Sequence, residues 1–67
     1  MNNQDLISLF NRIHNSASDI ASECCYYYDN GKNADHNSRL AWVNQVKRDL
    51  ARLNDAVKQY DDALNSL

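Results

Sequence analysis

Residues 43–67 read VNQVKRDLARLNDAVKQYDDALNSL. Apolar side chains recur there at Val43, Val46, Leu50, Leu53, Val57, Tyr60, Leu64 and Leu67, in steps that alternate between three and four. This is a heptad pattern, the period at which one stripe of an α-helix faces one direction. A half-buried strand would alternate at every second residue, and this stretch does not. Neither proline nor glycine interrupts it. The spacing predicts one long helix whose apolar stripe has to be covered by other helices.

Upstream, the same rhythm appears at Leu6, Phe10, Ile13, Ala17, Ile20, Cys24 and Tyr27. Ile7, His14, Ala21 and Tyr28 widen that stripe on one flank. Asn2 or Asn3 is placed to cap this first helix, and Asp5 falls in its first turn, where a negative charge favours the helix dipole. Between the two patterns lies DNGKNADHN, residues 29–37, the one run that reads as a connection. Gly31, the sole glycine, suits the left-handed position just past a helix end. Asn33, Asp35, Asn37 and Ser38 are each able to cap the next helix. A short connection of this kind joins antiparallel neighbours. The expectation is an all-α, single-domain, two-helix antiparallel hairpin, with helix one over about 3–29, a turn over about 30–37 and helix two over about 38–66.

The composition of the stripes bears on assembly. Phe10, Ile13, Ile20, Leu50, Leu53, Val57 and Tyr60 are the expected seam of the hairpin or of a dimer. Trp42, Ala56 and Ala63 extend the second stripe to one side, and Leu40 extends it to the other. Ala17 and Ala21 leave room at mid-helix for a close neighbour. Stripes wider than a two-stranded seam call for three or four helices. A four-helix bundle meets that need, either as a homodimer or with a different protein.

Size points the same way. A domain of 67 residues buries only about 60% of the surface its unfolded chain exposes, which leaves a lone core marginal. Disulfides do not remedy this, because Cys24 and Cys25 are adjacent and cannot bridge distant segments. The ten asparagines are modest helix formers and add little. The lack of a disulfide framework fits a cytoplasmic setting. No secretory leader is legible near the N-terminus, and no run approaches the roughly 20 apolar residues of a membrane span.

The net charge is −2, divided as −3 over residues 1–30 and +1 over 31–67. A balance this mild does not draw the chain to nucleic acid. Lys47, Arg48 and Arg52 form a basic cluster that defines an alternative, a homodimeric nucleic-acid-binding bundle. Asp49, Asp55, Asp61 and Asp62 are interleaved with it, however. Pairs such as Arg52 with Asp55 and Lys58 with Asp62 suit a solvated salt-bridge face better than a phosphate-reading one.

The run Cys24-Cys25-Tyr26-Tyr27-Tyr28 covers the full circumference of a helix, since successive residues point about 100° apart. Cys24 and Tyr27 belong to the seam, and buried or half-buried free thiols are expected. Tyr26, Tyr28, His36 and Trp42 are expected to gather at the hairpin tip as a partner-binding patch, because tyrosine and tryptophan are favoured interface anchors. A zinc site from His14, Cys24, Cys25 and His36 lacks the usual ligand spacing. The cysteines also lack the spacer of a dithiol redox pair. His14 has no nucleophile or carboxylate placed convincingly beside it, and one glycine cannot build a phosphate loop. The sequence therefore calls for no metal, no cofactor and no catalysis.

In length and two-helix layout the chain resembles the small co-chaperones of type III secretion needle subunits. It is similar as well to compact plasmid and phage regulators built as helical-hairpin dimers. These resemblances are architectural and carry no residue across. They imply a protein that acts by contact, as an inhibitor (of a host system, in the phage case), an adaptor or a small chaperone.

Overall fold

The computed structural model describes residues 3–66. Helix α1 runs Asn3–Asn30 and helix α2 runs His36–Asn65, with a single 3₁₀ turn, Gly31–Asn33, between them. No strand occurs among the described residues. The helices lie antiparallel in a rod of 50 × 15 × 9 Å. The expected cap at Asn2 and the seam position Leu67 lie outside the described residues, and Asn3 is already inside α1.

The connection is tighter than the sequence suggests. Asp35 is the residue that caps α2: its backbone is extended, and its Oδ1 accepts the Ser38 N–H at 2.7 Å. The helix therefore opens at His36, two residues before the expected start. Gly31 does not take the left-handed position, which corrects the expectation from sequence. Its carbonyl instead accepts from Ala34 N at 3.3 Å and from Arg39 Nη2 at 2.8 Å. With the carbonyl satisfied by a right-handed 3₁₀ turn, no left-handed residue is needed. The Asn30 side chain donates to Tyr26 O at 2.8 Å, closing the last turn of α1.

The seam divides each expected stripe in two. On α1, the partly or wholly covered positions are Leu6, Leu9, Ile13, Ser16, Ile20, Glu23 and Tyr27. On α2 they are Trp42, Val46, Asp49, Leu53, Ala56, Tyr60 and Ala63, with Gln45 and Gln59 beside them. Both sets step by three and four, as packed helices require. Yet Ala56 and Ala63 are the only buried apolar residues among those described, and no large side chain is fully buried. Two helices alone shield each residue from one side only. The core of the isolated hairpin is thin.

Candidate protein-docking face

With the seam residues taken as heptad positions a and d, the flanking e and g positions sort onto two long edges. In an antiparallel pair the g positions of both helices flank one edge and the e positions flank the other. Apart from Tyr26 at the tip, the g edge is polar. There the Arg12 guanidinium donates to Gln59 Oε1, and Gln59 Nε2 in turn donates to Asp55 Oδ2 at 3.1 Å.

The e edge is apolar and open. It carries Phe10, Ala17 and Cys24 from α1 and Val43, Leu50, Val57 and Leu64 from α2. The four α2 residues are 44–46% exposed and Phe10 is 54% exposed. Phe10 is held by an edge-to-face contact with Tyr60, ring centroids 5.2 Å apart. Beyond it, Ile7 and His14 continue the surface on α1, where with Leu6, Phe10 and Tyr60 they line a shallow groove at the open end of the hairpin. The structure thus splits the expected seam. Ile13, Ile20, Leu53 and Tyr60 pack within the hairpin, whereas Phe10, Leu50 and Val57 stand on the uncovered face.

At the tip, Tyr27 and Trp42 stack with centroids 4.9 Å apart and planes 17° from parallel. Tyr26 meets both rings edge-on, at 5.9 and 6.4 Å. Of the four expected contact residues, the structure brings Tyr26 and Trp42 together and adds Tyr27. Tyr28 projects from the e side of α1 and is 86% exposed, and His36 is exposed at the first turn of α2. Trp42 is therefore partly committed to holding the hairpin itself. Cys24 and Cys25 are both exposed, which corrects the expectation of buried thiols. With only two helices, nothing in the hairpin reaches over the e edge to cover Cys24.

Below the tip sits a layer that sequence reasoning missed. Glu23 and Asp49 both occupy d positions and meet inside the seam. Asp49 is 5% exposed. Its Oδ1 accepts from Gln45 Nε2 at 3.2 Å and faces Arg52 Nη1 at 3.9 Å. Glu23 Oε2 and Asp49 Oδ2 are both buried without a hydrogen-bond partner, an arrangement that one proton between the two carboxyls would relieve. The hydrogen bond with Asp49, loss of water and the negative charges of Asp49 and Asp19 raise the Glu23 pKa above its ordinary 4.5, against the opposing pull of Arg52. Tyr27 next to this pair is also raised, by desolvation first and then by the Glu23 and Asp49 charges. The signal was present in the sequence as acidic residues at seam spacing, three residues after Ile20 and after Val46.

The basic cluster is partly tied down. Arg48 Nη2 donates to Gln45 Oε1 at 3.1 Å, and Arg52 turns to Asp49 instead of the expected Asp55. Lys47 is exposed beside Leu50. No family model, curated protein or solved structure matches this chain. Among the described residues no helix is long and apolar enough to cross a membrane.

Proposed function

We propose that this chain is a non-enzymatic protein-binding module that works by completing a helical bundle, as inhibitor, adaptor or small chaperone. The observation that supports this reading is the e edge. One full heptad column of α2 and its counterpart on α1 stand half-exposed in line along the rod. Isolated surface leucines are ordinary, but an aligned apolar stripe marks a surface that takes a partner. Helices of another polypeptide laid along this edge would complete the thin core. The ring cluster of Tyr26, Tyr27 and Trp42, with Tyr28 and His36 nearby, supports a second contact at the tip.

Helicity followed by circular dichroism across a dilution series, with mass by light scattering, tests the reading. A bundle-completing hairpin loses helicity on dilution unless its partner is present. A monomer that stays helical and melts cooperatively at every concentration would rule the reading out. The basic cluster offers less support for the nucleic-acid alternative, since Arg48 and Arg52 are already engaged with Gln45 and Asp49.

A further inference from the structure

We infer that the occupant of the e edge is a second copy of this chain, related by a two-fold axis that crosses the hairpin at the level of Ala17 and Asn54. The inference rests on the bundle-completion reading and names its partner.

The chain exposes 5168 Å². A compact monomer of 7.7 kDa would expose about 4300 Å². The excess of roughly 800 Å² matches what each partner contributes to a standard stable interface. One copy of a similar hairpin is enough to cover it.

A two-fold perpendicular to the helices lays α1 antiparallel on α1 of the second copy, and α2 on its α2. Such a pairing works only if both helices have their symmetry centres at one height. On α2 the apolar column pairs Val43 with Leu64 and Leu50 with Val57 of the second copy, centred beside Asn54. On α1 the column pairs Phe10 with Cys24 of the second copy, centred on Ala17, where a small side chain lets two helices approach. The hairpin's own contacts fix the relative heights. Arg12 meets Gln59 and Glu23 meets Asp49, so the midpoint between those contacts sets Ala17 level with Asn54. The two centres coincide.

Lys47 and Asp61 flank the α2 column at equal distances from Asn54, so the same axis sets each against the other in the second copy. On α1 the e column and the residues beside it, Ile7, His14, Ala21 and Tyr28, carry no acidic, lysine or arginine side chain. A self-complementary interface demands this, because every residue near the axis meets its own kind. The dimer then carries its two aromatic tips at opposite ends of the rod.

The test combines mass, charge reversal and cross-linking on the full chain. Wild type is expected to be a dimer by light scattering at micromolar concentration. Lys47→Asp or Asp61→Lys alone should weaken it roughly tenfold, since two attractive rim pairs become repulsive, and the two together should restore it. In a Cys24→Ser, Cys25→Ser background, Ala17→Cys should be joined between copies by a short bismaleimide, whereas Ser22→Cys, on the outer face, should not. A dimer without charge rescue, or one linked equally at both sites, overturns the assignment of the axis. A monomer at high micromolar concentration overturns the second copy as occupant. If that monomer is poorly helical, bundle completion by a different chain still stands. If it is fully helical and melts cooperatively, both readings fall.

Discussion

The two long edges of this hairpin are built from the same helices at the same period, yet they finish differently. On the g edge Arg12 pairs with Gln59, Gln45 and Arg52 reach Asp49, and Asp19 is exposed. On the e edge Phe10, Val43, Leu50, Val57 and Leu64 stay about half-exposed, with Phe10 leaning on Tyr60. Polar side chains on an edge satisfy themselves locally, so that edge is complete in the monomer. An apolar edge gains only by leaving water, at about 25 cal/mol per Å² buried. The difference shows that a heptad stripe has more capacity than one neighbour can use, and that the surplus is directed to one side.

The largest expected effect breaks the apolar edge. Leu50→Glu places a charge where Val57 of the second copy would lie, twice per dimer. It should cost about 3 kcal/mol of association, roughly a hundredfold in Kd by sedimentation equilibrium. Gln59→Ala on the polar edge should change Kd by less than about threefold. Equal effects from the two substitutions would erase the contrast between the edges.

Next in size is a change in the shared seam. Leu53→Ala should lower stability by about 2 kcal/mol in urea unfolding, at the low end for a core leucine because the site is only half-buried. Trp42→Ala should also destabilise, by removing the stack on Tyr27. Tyr28→Ala is the cleaner test of a tip contact. It should leave the urea midpoint within about 0.5 kcal/mol while weakening capture of any target that docks there.

The acidic layer gives a pH profile. Glu23 holds its proton more tightly folded than unfolded, so proton binding favours the folded state. Stability should be highest near and below 4.5, the ordinary glutamate value, and should fall as pH rises through the higher folded value. Asp35 runs the other way. The Ser38 N–H lowers its pKa below 3.8, so the cap's contribution holds above that value and is lost as pH falls through the folded one. The melting temperature should therefore rise as pH falls through the folded Glu23 value and turn down as it falls through the folded Asp35 value. Glu23→Gln should raise the melting temperature above the folded Glu23 value and flatten the upper limb. A profile unchanged by Glu23→Gln would remove the proton-sharing account.

The smallest effect is at the cap. Asp35→Ala should lower the melting temperature by a few degrees and abolish the acid limb that Asp35 contributes.

The sequence by itself determined that two long helices form, that they turn back within a few residues, and that their apolar surface exceeds what one pair can bury. Those are local properties: heptad spacing, an asparagine-rich break that holds the sole glycine, and side chains able to cap. Asp35 was one of four caps legible on the same grounds, and of the four residues expected to gather at the tip Tyr26 and Trp42 meet. Only the tertiary structure decided which half of each stripe turns inward. Leu53 and Leu50 are equally apolar and three residues apart, and nothing local distinguishes them. What separates them is rotation about the helix axis, fixed by the best joint fit of both seams. That rotation buries Asp49 beside Glu23 and leaves Leu50, Val57 and Phe10 facing outward. The acidic layer and the open edge are consequences of one angle, a property of two packed helices that neither helix contains alone.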